Sequence, residues 1–262
     1  MANTESINSK KQTLYIILCG IFLTNAVVAE IIGSKIFSVE QTLGIAPMQL
    51  PLFGQKFDFN MSAGVLNWPF VFITSDIINE YFGKSGVRKI SYLTAILIAY
   101  AFIIIYLSTI VMPAEFWVNH NNKDLSGNPL NINDAYKIIF RQGLGIILGS
   151  ITAFLVGQIL DATVFHWLRR YTNNKMIWLR ATGSTVVSQL IDSYVVVFIA
   201  FYVFNNWTLT EVFTTGTNNY IYKFAVAVLL TPVIYLAHNL IDKYLGKEHA
   251  HKIIDEATFT PM

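Results

Sequence analysis

Two copies of a Gln-x-x-Asp unit lie inside long apolar runs of the sequence, at Gln158 with Asp161 and at Gln189 with Asp192. Residues three positions apart share one face of a helix, so each unit presents an amide beside a carboxylate. A carboxylate accepts hydrogen bonds from two adjacent N–H donors, and an amide can donate one to a carbonyl. The units therefore suit the binding of a polar solute, unless they only bond to one another across a helix bundle.

A third polar face, with Asp76 and Glu80 four residues apart, lies in another apolar run. An ionised side chain at the centre of a membrane-spanning helix costs about 2.5–3.5 kcal/mol, so such residues persist where they pair or function. The helix rise puts three carboxylates roughly 12–18 Å from basic residues at one membrane border, and half a hydrocarbon core is about 15 Å. The three pairs are Asp76 with Lys84, Asp161 with Arg169, and Asp192 with Arg180. Transporters bind their substrates near this midplane depth, so the layer predicts a substrate site.

The elements that would position these groups are membrane-spanning helices. Hydrophobic residues make up 54% of the chain and charged residues 13%, with a mean hydropathy of +0.49. A soluble domain carries about 25% charged residues, and a helix needs about 20 mostly apolar residues to cross a membrane. We therefore predict an all-α, polytopic membrane protein with six transmembrane helices, at 13–37, 61–82, 89–112, 143–167, 180–204 and 220–242. Pro69 should kink the second of them, because it removes a backbone donor.

Basic residues are concentrated on one side of the predicted helices. Twelve of the 18 lysine and arginine residues fall on the side that also holds both termini. An excess of Lys and Arg marks the cytoplasmic side of a membrane protein. We therefore expect a cytoplasmic N-terminal segment at 1–12, a transmembrane domain at 13–242 with an external loop at 113–142, and a cytoplasmic tail at 243–262.

Further charged residues lie close to the predicted helix ends. Glu80, Lys84 and Arg88, together with Arg180, form either an ion-paired structural cluster or a gate at the cytoplasmic side. Two more lysines, Lys35 and Lys223, lie near the predicted external ends of their helices. Long cationic side chains at such positions commonly extend toward the membrane surface, so for these two both interpretations, anchor and gate, remain open.

Several classes of protein are disfavoured by what the sequence lacks. It contains no His-Glu-x-x-His zinc pair, no Gly-x-Ser-x-Gly elbow, no aspartate-rich diphosphate motif and no Walker A loop. We therefore predict no enzymatic activity, cofactor or metal, and an intramembrane enzyme is the main alternative class.

Cys19 is the single cysteine, so no internal disulfide can form, and a net charge of +2 does not indicate nucleic-acid binding. Driven import would need an ion gradient or a separate ATPase module.

The polar residues lie in stretches that resemble the queuosine-precursor transporter family of vitamin-uptake-type membrane proteins. The resemblance covers nearly every predicted helix, in order. It rests on residues 62–64, 68–69, 75–84, 88–89, 157–161, 165–166, 168–170, 180, 184–185 and 188–193, with Asn25, Lys35, Lys223, Thr231 and Pro232. Family members more often carry Phe-Pro where this chain has Trp68 and Pro69, and Thr-Asp where it has Ser75 and Asp76.

The resemblance implies uptake of 7-cyano-7-deazaguanine, 7-aminomethyl-7-deazaguanine or both through the bacterial inner membrane, for tRNA queuosine salvage. It implies a fold similar to the substrate-binding subunits of energy-coupling-factor importers, with the lipid bilayer and a homo-oligomer or an ATPase module as partners. The alternative function is that of the substrate-binding subunit of a vitamin importer, which would use a separate ATPase module. A guanine-like edge carries two adjacent N–H donors and a carbonyl acceptor. We expect the substrate-binding residues to be Asp161 or Asp192 on the donors, Gln158 or Gln189 on the carbonyl, Trp68 as a stacking surface, and Asp76 and Asn25 beside them.

Overall fold

The computed structural model of the chain describes residues 2–33, 35–52, 55–141, 144–172, 176–204 and 206–259. Most of these residues form helices, joined by turns and three-residue strands. In chain order the elements are α1 (Ala2–Ile32), β1 (Ile36–Ser38), α2 (Val39–Leu43), β2 (Leu50–Leu52), β3 (Gln55–Phe57), β4 (Asn60–Ser62), a 3₁₀ turn (Ala63–Leu66), α3 (Trp68–Ile110), α4 (Glu115–His120), α5 (Ile132–Phe140), α6 (Leu144–Tyr171), α7 (Ile177–Val197) with a π-helical continuation (Phe198–Val203), α8 (Leu209–Leu245) and α9 (Lys247–Phe259).

Within the described ranges, five helices are long and apolar enough to cross a membrane: Asn8–Ile32, Trp68–Ile110, Ile147–Tyr171, Ile177–Val203 and Leu209–Leu245. Their outer surfaces carry large apolar side chains such as Ile16, Ile96 and Leu229, at 69%, 65% and 73% exposure. A helix satisfies its own backbone groups, so a surface of this kind is compatible with lipid. The architecture agrees with an all-α polytopic membrane protein. The five helices do not by themselves confirm the predicted count of six, because the second and third predicted helices both fall in α3.

The α3 segment is interrupted at Gly83, whose φ of 70° and ψ of −177° are not helical. A Cβ atom added at Gly86 would lie 3.5 Å from Cγ2 of Ile78. In an uninterrupted helix, residues eight positions apart are separated by a rise of about 12 Å. The chain therefore folds back at Gly83 into a first arm (68–82) and a second arm (84–110).

The first arm begins at Trp68, later than the predicted start at 61. Asn60–Ser62 instead forms strand β4, which pairs antiparallel with β1, and the 3₁₀ turn leads from it into the helix. Pro69 lies in the first turn of the arm, where the missing backbone N–H would have no helical acceptor. The expected kink at Pro69 is therefore wrong, and the irregular point of the segment is Gly83.

The connection between α1 and the first arm folds around the buried side chain of Glu40, in α2. One carboxylate oxygen of Glu40 accepts a hydrogen bond from the backbone N–H of Phe59 (2.7 Å), and the other accepts one from the Ser38 hydroxyl (3.0 Å). These hydrogen bonds favour the ionised carboxylate and lower the pKa of Glu40. The Ser62 hydroxyl donates to the carbonyl oxygen of Gly33 (2.7 Å), which holds β4 against the end of α1.

One end of the bundle, which we call the α9 end, collects the start of α1, the turn at Gly83, the end of α8 and helix α9. The Lys10 ammonium donates to the carbonyl oxygen of Tyr244 (3.4 Å). A Cβ atom added at Gly83 would lie 2.9 Å from the carbonyl oxygen of Ala257 in α9, so both this contact and the positive φ require glycine there. Basic residues are frequent at this end: Lys10, Lys11, Lys84, Arg88, Lys89, Lys243 and Lys247.

The second arm rises about 40 Å from the Gly83 turn to the opposite end of the bundle, where the predicted loop at 113–142 begins. The loop contains α4 and α5, and Nε of Arg141 donates to the Thr109 hydroxyl at the end of the second arm (2.9 Å). The loop is therefore attached to the bundle on this side. Position 142 of the predicted loop lies outside the described residues, as do positions 1 and 260–262 of the predicted terminal segments.

A shared apolar core joins the helices, with contributions from Phe22 in α1, Val71 and Tyr81 in the first arm, Phe154 in α6 and Ile254 in α9. Helix α7 packs between α6 and α8, and α6 also packs against α3. The predicted helices at 143–167 and 180–204 agree with α6 and α7 to within a few residues. These packed helices place the polar face of the first arm opposite α6 and α7.

Candidate functional site

The buried polar side chains of the first arm include four that lie on one side of the helix, each exposed by 4% or less: Ser75, Asp76, Asn79 and Glu80. Ser75 and Asn79 are four residues apart, as are Asp76 and Glu80, so the four form two adjacent strips on one side of the helix. Polar side chains this deep in a membrane-spanning helix face protein instead of lipid. One strip binds to α6, and the other ends in a charged contact with α7.

Ser75 and Asn79 connect the first arm to α6. The Ser75 hydroxyl donates to Oε1 of Gln158 (3.0 Å), and Nδ2 of Asn79 donates to Oδ2 of Asp161 (3.3 Å). The other oxygen of Asp161 accepts a hydrogen bond from the Ser188 hydroxyl in α7 (3.3 Å). These residues and Asp76 form what we call the polar layer: Ser75, Asp76, Asn79, Gln158, Asp161 and Ser188. Three of the predicted substrate-binding residues, Asp76, Gln158 and Asp161, are thus brought together.

Several buried oxygens in and beside the polar layer receive no hydrogen bond in the described part of the chain. They are Oδ1 of Asp76, Oδ1 of Asn79, Oε1 of Gln189 and Oγ of Ser193. Nearly all buried polar atoms have a partner, and each one without costs about 1–3 kcal/mol. Three of the four are oxygens that can only accept, so the site is short of hydrogen-bond donors. A ligand that fits it should be rich in N–H groups.

Asp76 is the least satisfied member of the polar layer. Its carboxylate accepts no hydrogen bond from the described residues and interacts electrostatically with two other carboxylates, Asp161 and Glu80. Asp76 also borders a small cavity with room for about one water molecule, which is lined by Phe72, Ile73, Asp76, Thr182, Thr185, Ala227, Leu230 and Ile234. The helices are thus closed around the layer in this conformation.

Beyond the polar layer, Asp192 forms a buried ion pair with Lys223. The Lys223 ammonium also lies 6.0 Å from the centre of the Trp68 ring, and Glu30 in α1 interacts electrostatically with both Asp192 and Lys223. We call Glu30, Asp192 and Lys223 the Lys223 group. Asp192 is one turn of α7 beyond Ser188, which places the group about 6 Å along the helix from the polar layer.

Lys223 lies deeper in the bundle than the sequence predicted. Helix α8 begins at Leu209 instead of 220, behind a capping box formed by Thr208 and Glu211. Lys223 is therefore about 21 Å along the helix, and its side chain is 11% exposed. The predicted position near the helix end is wrong, because the polar residues 209–219 form the first turns of α8. Lys223 is the ion-pair partner of Asp192.

A cluster of buried charges lies on the α9 side of the polar layer. Arg180 donates from Nε to Oε2 of Glu80 (2.9 Å) and from Nη2 to Oε1 (2.5 Å), which makes a bidentate pair. Arg169 lies 3.9 Å from the same carboxylate and donates to the carbonyl oxygens of Glu80 (3.1 Å) and of Ile254 in α9 (2.5 Å). We call Glu80, Arg169 and Arg180 the charge cluster. Helix α9 covers it.

Two predicted members of the charge cluster lie elsewhere. Arg88 is exposed and Lys84 is half-buried, and the ion pairs found among the described residues do not include either of them. The first arm ends at Gly83, so residues after it turn away from Glu80. Arg169, instead of Lys84 or Arg88, is the second basic residue beside the Glu80 carboxylate.

Asn25 and Lys35 are also separate from the polar layer. Nδ2 of Asn25 donates to the carbonyl oxygen of Ile21 in its own helix (2.8 Å). Lys35 is exposed, next to β1. In the ranges that the structure describes, no group of three or more His, Cys, Asp and Glu side chains is placed to hold a metal ion.

Four residues of these groups were missed from the sequence: Ser75, Asn79, Ser188 and Arg169. A signal existed for the first two, because they have the same four-residue spacing as Asp76 and Glu80 on the neighbouring strip. Ser188 directly precedes Gln189, but a serine in a helix usually bonds to its own backbone. The sequence placed Arg169 at the membrane border. In the structure it is buried, because helix α9 packs over it and accepts a hydrogen bond from its guanidinium group.

Comparison with known proteins gives the family. A family model described as a putative vitamin uptake transporter matches residues 62–237. The matched region includes the first arm, α6, α7 and most of α8. The chain belongs to this family. Its apolar helices and its membership of a transporter family make it a membrane protein.

Curated relatives share the same kind of name. The chain is 29% identical to a "Probable queuosine precursor transporter" of Bacillus subtilis (strain 168), over 71% of this chain and 76% of the relative. It is 27% identical to a "Probable queuosine precursor transporter" of Haemophilus influenzae, over 66% of each. It is 28% identical to a "Queuosine precursor transporter" of Escherichia coli (strain K12), over 59% of this chain and 61% of the relative. No solved structure matches the chain, so similarity to energy-coupling-factor subunits stays a prediction.

Proposed function

We propose that this chain imports queuosine precursors through the bacterial inner membrane for tRNA queuosine salvage, as 7-cyano-7-deazaguanine, 7-aminomethyl-7-deazaguanine or both. The names of the three relatives support this substrate class, and membership of an uptake family supports transport over catalysis. The observation that carries the proposal is the polar layer, in which buried acceptors without donors lie between membrane-spanning helices.

The donor-poor layer suits the donor-rich edge of a guanine-like base. Two adjacent N–H groups of such an edge can bond to a carboxylate, for which the unsatisfied Oδ1 of Asp76 is available. Asp161 lies beside it and would share its oxygens between the base and its present donors, Asn79 and Ser188. The amide of Gln158 can donate to the carbonyl of the base. Trp68 is the proposed stacking surface for the base: its ring packs on Phe72, with 5.8 Å between ring centres, and Phe72 lines the cavity beside Asp76.

Two ion pairs flank the polar layer along the helices. Glu80 is one turn of the first arm beyond Asp76, toward the α9 end, and it is held by Arg180. Asp192 lies on the other side of the layer, where it pairs with Lys223. We infer that Glu80 with Arg180 closes the inner side and Asp192 with Lys223 closes the outer side, so that import requires each side to open in turn.

The positions of the helix ends support six crossings with both termini in the cytoplasm. The start of α1 and the end of α8 meet at the α9 end, through the contact of Lys10 with Tyr244. Two chain ends on one side require an even number of crossings, and the two arms of α3 supply the sixth. The basic residues at this end support its cytoplasmic placement. A homo-oligomer or an ATPase module is the proposed partner for driven import.

The description of the family as a vitamin uptake transporter favours a second candidate, uptake of a vitamin. For this candidate we propose that the chain acts with a separate ATPase module. Such a chain would bind its vitamin in the same polar layer. The two candidates differ in which solute competes for uptake.

The test is queuosine content of tRNA in a bacterial strain that lacks both precursor synthesis and its own carrier. With nanomolar precursor outside, expression of this chain should restore queuosine, and the double variant Asp161→Asn with Asp192→Asn should not. Glu115→Gln is the matched control, because Glu115 is an exposed carboxylate in the loop at 113–142. The proposal fails if the wild-type chain gives no queuosine, and the site assignment fails if the double variant restores it fully.

A further inference from the structure

The Lys223 group lies beside two of the oxygens that receive no hydrogen bond. Gln189 precedes Asp192 by three residues and shares its helix face, and Ser193 follows it directly. The Gln189 and Ser193 side chains are buried, at 6% and 0% exposure. Oε1 of Gln189 and Oγ of Ser193 have no hydrogen-bond partner among the described residues. One short stretch of α7 thus combines a carboxylate with two oxygens that can accept hydrogen bonds.

The acidic groups around this stretch can bind a cation once the outer ion pair opens. Lys223 now pairs with Asp192 and interacts with Glu30, and when it leaves Asp192 the carboxylate can accept a substrate ammonium in its place. The ring of Trp68 already faces a cation, at 6.0 Å from Nζ of Lys223, and aromatic faces attract cations. A primary ammonium has three N–H donors, which match the Asp192 carboxylate and the two unsatisfied oxygens.

The stretch also lies at a suitable distance from the polar layer. Ser188 donates to Asp161, and Asp192 is one turn further along α7, about 6 Å away. This separation is comparable with the length of a fused two-ring base. A base whose donor edge binds to Asp161 would therefore reach Asp192 with a substituent on its five-membered ring.

We propose that Asp192, Gln189, Ser193 and Glu30 bind the charged aminomethyl substituent, so that the carrier selects 7-aminomethyl-7-deazaguanine over the uncharged 7-cyano precursor. The inference rests on the proposed transport function and names the preferred substrate of the same site. It separates the two Gln-x-x-Asp units: the unit with Asp161 binds the base edge that both precursors share. The unit with Asp192 binds the substituent in which the two precursors differ.

Uptake of labelled 7-aminomethyl-7-deazaguanine by cells that express the full chain tests this selection. Unlabelled 7-aminomethyl precursor should compete at least about tenfold more strongly than the 7-cyano precursor, a factor typical of one well-placed charged contact. Equal competition by the two precursors would overturn the inference while leaving transport intact. Failure of the wild-type chain to take up either precursor would instead remove the transport function.

Two variants assign the selection to this stretch. Ser193→Ala removes a hydroxyl that has no partner among the described residues, so it should not destabilise the fold. It should lower aminomethyl uptake about tenfold or more, the loss of one hydrogen bond to a charged group, and should leave cyano uptake unchanged. Glu30→Gln should act in the same direction. The matched control is Ser91→Ala, a buried serine of the second arm that donates to the carbonyl oxygen of Val87 (2.8 Å), which should not change the ratio of the two precursors. If both variants alter the two uptakes equally, the assignment is wrong.

Discussion

The charge cluster and the polar layer occupy adjacent turns of the first arm and are equally buried, but they differ in how their polar atoms are satisfied. Both oxygens of Glu80 accept hydrogen bonds from Arg180. One turn away, the carboxylate of Asp76 accepts no hydrogen bond from the described residues and faces Asp161. A completed set of contacts indicates a part that holds the closed bundle together, whereas buried acceptors without donors indicate a place for a ligand.

The comparison predicts its largest effect on stability at Glu80. Glu80→Gln removes the charge that Arg180 and Arg169 share, and leaves two buried guanidinium groups without their carboxylate. Breaking a buried pair from one side costs about 3–5 kcal/mol. Thermal unfolding of the purified protein in detergent should show a strongly lowered melting temperature. Arg88→Gln, at an exposed position, is the control, and a Glu80 variant as stable as this control would remove the distinction between the two regions.

Asp76→Asn should have the opposite effect: stability should be retained, and precursor uptake should fall. The amide is uncharged and nearly the same size, and Asp76 receives no hydrogen bond from the described residues that the change could break. We expect unfolding free energy that is unchanged or higher by about 1 kcal/mol. Precursor uptake should nevertheless fall, because a substrate N–H group loses its acceptor. A strong loss of stability in the same unfolding assay would show that Asp76 is structural, like Glu80.

The Glu40 carboxylate lies outside the membrane-spanning helices and also has its hydrogen bonds satisfied. Its substitution should have the smallest effect on stability of the three. The backbone N–H of Phe59 lowers the pKa of Glu40 below its unfolded value. Its contribution to stability is therefore complete above the unfolded pKa of about 4.3 and is lost as pH falls through the lower folded value. Melting temperatures measured between neutral pH and pH 3 should fall less steeply in Glu40→Gln than in wild type. Identical slopes would contradict the role of this hydrogen bond.

The contrast between the two regions could be predicted only in part from the sequence. The apolar runs defined α6 and α7, and the i, i+3 spacing placed Asp161 on an inward face, because both depend on local helix periodicity. The depth of Lys223 was missed, since the polar residues that begin α8 do not differ from a loop by composition. The burial of Arg169 depends on α9, a short helix packed from a distant part of the chain, and no local pattern reports such a contact.

The central claim is that the polar layer binds a base rich in N–H donors. Isothermal titration of the purified chain in detergent with 7-aminomethyl-7-deazaguanine tests it most directly, for the wild type and for Asp76→Asn. We predict binding to the wild type and at least about tenfold weaker binding to the variant, with a melting temperature for the variant that is no lower than that of the wild type. Equal affinity for the two proteins, or no binding to the wild type, would contradict the claim.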